Sequence, residues 1–182
     1  MNEISLSRAK GPGDWLNVWW LYQRAFPRAE RKPFGIMARM AREGKTDVWI
    51  FRNEGRFAGL GITINGENLI LLDYFAVETR FRGKGIGTTA LKRIMEQYED
   101  RGFFLEIEGT WEPVDDLEMR KRRKKFYLNC GLEELFVRGE LFGVNMELLG
   151  LRCQLDFDRY KAFYRDYYSP WAADHVRPVK EG

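Results

Sequence analysis

The sequence predicts an α/β fold: a mixed, mostly antiparallel central sheet flanked by helices, with one parallel strand pair and an extra C-terminal helix. Three observations carry this. Between Asp47 and Val77, three apolar runs are separated by the hairpin signals Asn53-Glu54-Gly55 and Asn65-Gly66, the pattern of an antiparallel meander. The third run leads into a glycine-rich basic bend, Arg82-Gly83-Lys84-Gly85-Ile86-Gly87, and then into an amphipathic helix. Phe103 to Glu108 is a strand reached through that helix, so it should run parallel to its predecessor as a right-handed crossover.

Each element has its own local reason. Ile4 to Arg8 is a short opening strand. Gly11-Pro12-Gly13 turns the chain, and Asp14 is placed to cap a helix over Trp15 to Phe26, where Trp15, Trp19, Tyr22 and Phe26 recur at helical spacing. Pro27 stops it. A second helix, Phe34 to Ala41, ends before Gly44, and the connector PRAERKP is either a solvated link or a gate over a substrate. Strands are expected at Asp47 to Arg52, Arg56 to Ile64 and Asn68 to Val77. The helix after the bend shows an apolar face of Ala90, Leu91, Ile94, Met95 and Tyr98. An acidic loop, Gly109 to Leu117, precedes a helix over Glu118 to Cys130, with Gly131 as its stop. Strands near Leu132 to Val137 and Leu141 to Leu148 follow. The tail places Phe157, Tyr160, Tyr164, Tyr167 and Trp171 three and four apart up to Pro170, a helical stripe suited to a core or to a dimer surface.

Composition narrows the function classes. With 182 residues, 45% hydrophobic and 15% aromatic, the chain can bury one good core and is expected to be a single domain over 1–182, with 151–182 as a helical extension. No apolar run reaches the length of a membrane span, and the first residues lack a signal core. Two cysteines, Cys130 and Cys153, and one histidine, His175, argue against a disulfide framework, a metal site or a histidine triad. A reduced, cytoplasmic protein is expected. A net charge of +3 does not by itself indicate nucleic acid.

The glycine bend is the chemical signature. Glycine lets backbone N–H groups approach a ligand, and a helix opening there adds unpaired donors and the positive end of its dipole. With Arg82 and Lys84 beside them, these groups make an anion site suited to a pyrophosphate. The dinucleotide fingerprint is excluded because its third glycine would fall on Thr88, and nothing fits a P-loop. The spacing that does fit is R-x-x-G-x-G, on Arg82, Gly85 and Gly87.

That pattern resembles the acyl-CoA pyrophosphate loop of the GNAT N-acetyltransferase superfamily. The order of elements over residues 3 to 150 is similar to that family's, as are the stretches LILLDYFAVETRFRGKGIGTTAL and FLEIE followed by KKFYLNCGL. The family's FY-x-x-x-GF ending is here Phe126 to Leu132, with leucine for the last phenylalanine. The resemblance implies direct transfer of acetyl from acetyl-CoA, a co-substrate, to a primary amine of a small molecule or peptide. It implies that the backbone of Phe75, Ala76 and Val77 pairs with the pantetheine arm. Arg82, Gly83, Lys84, Gly85, Ile86, Gly87 and Thr88 would hold the pyrophosphate, and Asn129 would also contact CoA. Tyr127 occupies the position whose hydroxyl meets the sulfur and protonates the leaving thiolate. A core aromatic beside Phe126 is the plainer role for it.

A base must take the amine's proton. Strand alternation puts Asp73, Phe75 and Val77 on one face, and Glu106 and Glu108 on one face of the next strand. If the strands lie side by side, these carboxylates line one cavity, attract a cationic amine and repel one another. Glu108 and Glu106 are favoured over Asp73 as base. Pairing with arginines of the basic helix is the structural alternative.

The run Arg120 to Lys125, six basic residues in succession, opens a competing class. It fits a nucleic-acid face or an acidic partner. Glu112, Asp115, Asp116 and Glu118 stand near enough in sequence to neutralise it, and no aromatic platform interleaves it. Nucleic acid is the disfavoured partner. The alternatives carried forward are a catalytically silent acyl-CoA-binding domain and an acetyltransferase acting on RNA or a ribosomal protein. A homodimer is compatible with the aromatic tail.

Overall fold

The computed structural model describes residues 3–179. They form two compact units: one comprises the described residues up to Asn65 with Leu72–Glu99, the other Gly66–Leu71 with the described residues from Asp100 onward.

The first unit holds strands β1 (Ile4–Arg8), β2 (Thr46–Asn53) and β3 (Arg56–Asn65), most of β4 (Leu69–Val77), and helices α1 (Pro12–Ala25), α2 (Phe34–Arg42) and α3 (Ile86–Glu96). The strands lie in the order β1-β2-β3-β4, and β1–β2 and β2–β3 are antiparallel. The apolar run Val48-Trp49-Ile50-Phe51 is buried on both faces, which explains why it reads as continuous rather than alternating. Val48 and Ile50 pack with Val18, Leu21 and Tyr22 of α1 and Met37 of α2. Phe51 packs with Ile86 and Ala90 of α3, and the Trp49 indole donates to the Tyr98 hydroxyl at 2.9 Å. A Cβ at Gly61 of β3 would stand 2.6 Å from Ile94 Cδ1, so glycine there lets α3 sit directly on the sheet.

One expectation in this unit is corrected. Asp14 does not cap α1: Gly11 is the N-cap and Pro12 takes the first helical position, where its missing N–H costs nothing. Asp14 lies in the first turn. Its carboxylate accepts from the Lys10 amide and pairs with Arg52 of β2.

The second unit holds β5 (Gly102–Glu108), α4 (Leu117–Asn129), β6 (Glu133–Leu141), β7 (Val144–Leu151), α5 (Phe157–Phe163), α6 (Pro170–Ala173) and β8 (Val176–Arg177). The first residues of β4 lie beside β5, parallel to it, and the Gly102 amide donates to the Asn68 carbonyl. The order continues β5-β7-β6-β8, and these pairs are antiparallel.

Two boundaries differ from the sequence reading. The β6–β7 turn is Phe142-Gly143, both at positive φ (50° and 83°). Phe142 is no turn former and gives no signal, while Gly139, between the two expected strands, is inside β6, where the Tyr160 ring stands 3.1 Å from its Cβ position. The tail is not one extra helix. α5 ends at Phe163, a π-turn spans Tyr164–Tyr168, Ser169 caps α6, and β8 adds a strand against β6. Tyr160 and Tyr164 of the aromatic stripe are buried within this unit, as is the neighbouring Phe163. Trp171 is exposed.

Candidate acyl-transfer site

The glycine bend is built from the first unit's core outward. β4 ends at Val77, and the Glu78 amide donates to the Ala58 carbonyl of β3. A single 3-10 turn, Thr79–Phe81, buries Phe81 with Ile4, Phe51, Ala58, Ile86 and Ala90. Arg82 bends back, its Nε 3.0 Å from the Val77 carbonyl. Gly83 and Gly85 are then both left-handed, at φ 74° and 76°, a region that costs a residue with a Cβ about 1–2 kcal/mol. Gly85 is the N-cap of α3 with no side-chain cap, and the first turn of α3 carries no acid. Nothing lies within 4 Å of a Cβ built on either glycine. Arg82 through Gly85 are exposed. An uncapped helix N-terminus without acids, below open space and beside Arg82 and Lys84, fits a pyrophosphate.

The three candidate carboxylates are held in three different ways. Asp73 of β4 pairs with Lys32 Nζ at 2.6 Å, with side chains only 9% and 13% exposed. Lys32 belongs to the connector between α1 and α2, which is strapped down: the Tyr74 hydroxyl donates to the Glu30 carbonyl at 2.7 Å, and the Lys32 amide donates to the Tyr22 hydroxyl at 2.9 Å. Burial, then the Asp73 charge, pushes the Tyr74 phenol far up, so it stays a donor.

Glu108, at the end of β5, is ion-paired with Arg123 at 2.9 Å and Arg120 at 3.4 Å. This is the structural alternative weighed for it in the sequence. Glu106, two residues earlier, is held instead by the hydroxyls of Tyr160 and Tyr164. The two glutamates share a strand face by alternation, and Glu106 meets tail hydroxyls where Glu108 meets arginines of α4. No sequence signal links Lys32 to Asp73 or the tail tyrosines to Glu106, because the partners lie 41 to 58 residues apart.

Tyr127 stands in the last turn of α4, its ring 5.2 Å from that of Phe126 and nearly edge-on. Burial pushes its hydroxyl up to about 12, against a small opposing effect of Arg123. Asn129 ends α4 and is exposed. The basic run on this helix is largely spent within the unit. Arg120 also pairs with Asp116, Lys121 with Glu118, and Lys124 with Glu147 and Glu134. Among the described residues, Arg122 and Lys125 remain without such a carboxylate. In the acidic loop, Glu112 accepts from Asn145, Asp116 is the partner of Arg120, and Thr110 is fixed by Glu147. Cys130 and Cys153 are not joined in a disulfide. Among the described residues no cluster of metal-ligating side chains occurs, and no helix is long and apolar enough to cross a membrane.

The order of elements and the uncapped glycine bend define an acetyltransferase-like α/β protein, and sequence comparison agrees. The model of the acetyltransferase (GNAT) family matches residues 15–115. The chain belongs to that family. No curated protein matches the sequence. Among solved structures, a GNAT-family protein from Bacteroides thetaiotaomicron is similar with a TM-score of 0.70 at 20% identity, covering 91% of this chain and 98% of that one. An aminoglycoside 6'-N-acetyltransferase complexed with coenzyme A is similar with a TM-score of 0.65 at 14% identity, over 82% and 96% of the two chains. The ribosomal-protein-S18-alanine N-acetyltransferase from Escherichia coli gives 0.61 at 17% identity, over 85% and 96%. At these identities the likeness is one of fold.

Proposed function

We propose that the protein is an acetyl-CoA-dependent N-acetyltransferase that moves the acetyl group directly to a primary amine of a small molecule or peptide. The observation that carries this is the bend at Arg82 to Thr88: two left-handed glycines, an uncapped helix and two exposed cations. The backbone of Phe75, Ala76 and Val77 is assigned to the pantetheine arm, and the amides of Arg82 to Thr88 to the pyrophosphate, with Asn129 as a further contact. A carboxylate among Glu106, Glu108 and Asp73 takes the amine's proton.

Tyr127 acts on the leaving sulfur. With its hydroxyl pushed up to about 12, the phenol is fully protonated at working pH. It is also a weaker acid than a thiol by several units, so its contribution is a hydrogen bond to the departing thiolate rather than full proton transfer ahead of bond cleavage. Similar folds acetylate acceptors as different as an aminoglycoside and a ribosomal-protein alanine, so the fold does not choose between small-molecule and peptide amines. The pairing of Asp73, Glu108 and Asp116 with cations leaves less unpaired negative charge to draw a cation than the sequence suggested. The test is a screen of amines, amino acids and peptides with acetyl-CoA, following thiol release. CoA binding without turnover of any amine would favour the silent binding domain instead.

A further inference from the structure

Helix α1 is apolar on two opposite sides. On one side Val18, Leu21 and Tyr22 are buried in the core with Val48, Ile50 and Met37. On the other, Leu16, Trp19 and Trp20 are 56%, 37% and 53% exposed. At 3.6 residues per turn these three and Gln23 fall within one arc of about 100°. A surface helix ordinarily turns polar side chains outward over such an arc. The single acid of the helix, Asp14, lies outside the arc and is paired with Arg52, so none of the outward residues is an acid.

Cations bracket the arc. Lys10 stands just ahead of α1, Arg24 is in its last turn, and Arg28 opens the 3-10 turn that follows. Lys10 and Arg28 are exposed, and among the described residues neither has a carboxylate within ion-pair distance. Residues 10–45, which hold α1, the connector and α2, carry eight cations against three acids, whereas the rest of the chain carries 22 against 24. Glu78 and Asp73 offset two of these cations, Arg24 and Lys32, and a positive surplus remains. The positive charge of the protein is therefore concentrated on the two helices that also expose Leu16, Trp19, Trp20 and Ile36.

We propose that the outer face of α1 docks on the surface of a bilayer that contains anionic lipid, with the helix lying in the plane of the interface. Leu16, Trp19 and Trp20 enter the boundary between headgroups and acyl chains, where the amphipathic tryptophan ring settles. Lys10 and Arg28, at the two ends of the helix, meet anionic headgroups, whose surface potential attracts basic side chains. Such a helix lies on a membrane without spanning it. Other occupants suit the face less. A second copy seated on the same face would set two positive surfaces against each other. A single-stranded nucleic acid needs open ring faces on which its bases stack. Leu16 offers none, and the Trp19 and Trp20 rings meet edge-on, 4.9 Å apart at 74°. The inference stands on the charge and exposure of this face and does not depend on the acyl-transfer reading.

The experiment is co-sedimentation of the full chain with vesicles of phosphatidylcholine alone and with vesicles of an equal mixture of phosphatidylcholine and phosphatidylserine. Wild type should partition onto the mixed vesicles roughly tenfold or more above phosphatidylcholine, and added salt should weaken that binding. K10Q with R28Q should weaken it by on the order of tenfold. L16Q with W20Q should weaken it at least as much, and both variants should melt near the wild-type temperature. W171S, which removes an exposed tryptophan of the second unit, should leave the binding unchanged. Absence of partition at low salt, equal partition onto both kinds of vesicle, or wild-type binding by K10Q with R28Q would overturn the proposal. So would a loss in W171S without one in L16Q with W20Q. If L16Q with W20Q does not fold, the Lys10 and Arg28 variant decides alone, since both side chains are exposed. Dimerisation or poly(U) binding that the same variants abolish, with no partition onto vesicles, would give the face to that partner and overturn the lipid assignment.

Discussion

At the scale of single residues, Tyr127 and Lys32 separate chemistry from packing. Tyr127→Phe deletes one oxygen and keeps the edge-on contact with Phe126. If the hydroxyl supports the departing thiolate, turnover at saturating acetyl-CoA should fall about 10²-fold, while CoA affinity by calorimetry and the melting temperature stay near wild type. Unchanged turnover would return Tyr127 to the core. Lys32 is the structural counterpart. Its ion pair with Asp73 is nearly enclosed, so Lys32→Met leaves an uncompensated carboxylate and should cost on the order of 3 kcal/mol, read from urea denaturation. Lys32→Met with Asp73→Leu should recover most of that loss. A single variant as stable as wild type would show that the connector is not strapped through this pair.

At the scale of elements, the opening turns of α3 and α1 make different predictions. The first turn of α3 is kept clear of caps, acids and neighbouring side chains, the reverse of what stability alone would select. Gly85→Val puts a branched side chain into a left-handed conformation and into the open space over the helix. CoA affinity should fall by on the order of a few kcal/mol, and unchanged affinity would remove the pyrophosphate from this bend. In α1, the Lys10 amide first, and Arg52 after it, hold the Asp14 carboxyl below its ordinary value of 3.8. A depressed carboxyl stabilises the fold above that ordinary value, and the gain is lost as pH falls through the depressed one. Asp14→Asn should therefore lower stability at pH 7 by about 1 kcal/mol or less, since the pair is partly solvated. The gap from wild type should close below about pH 4. A gap independent of pH would mean that ionisation of Asp14 is not its source.

At the scale of the whole molecule, the question is what the charge is for. Six consecutive cations on α4 look like a binding face, but four of them are engaged by Glu108, Asp116, Glu118, Glu134 and Glu147. A chain of net charge +3 with two unspent cations on that helix offers few phosphate contacts. Binding to single-stranded or duplex RNA should be undetectable at roughly physiological salt, where each contact adds only a modest increment. Arg122→Glu with Lys125→Glu should leave acetyl transfer unchanged. Tight, salt-sensitive RNA binding abolished by that double change would reinstate an RNA or ribonucleoprotein substrate.

Much of this was local and therefore legible from the amino acids alone. Hairpin signals, helical spacing and the R-x-x-G-x-G pattern are short-range constraints on φ, ψ and periodicity, and they placed β1 to β5, α1 to α4 and the glycine bend to within one to three residues at most ends. The β6–β7 turn was missed because Phe142 takes a left-handed conformation that its chemistry does not announce, and Gly139, between the two expected strands, lies inside β6 against Tyr160. The aromatic stripe at the tail was visible as a period, but a period cannot say where a helix loosens into a π-turn or that Val176 returns as a strand. The partners of the carboxylates were beyond reach for the same reason. Residue types at 73, 106 and 108 mark where charge can reside, whereas Lys32, Arg120, Arg123, Tyr160 and Tyr164 arrive there only by long-range packing. The sequence by itself determined the family, the order of most elements and the position of the glycine bend. Only the tertiary structure decided that Asp73 and Glu108 are paired with cations and that Glu106 accepts from two buried hydroxyls, because burial and distance, not spacing, set the surroundings of an ionisable group.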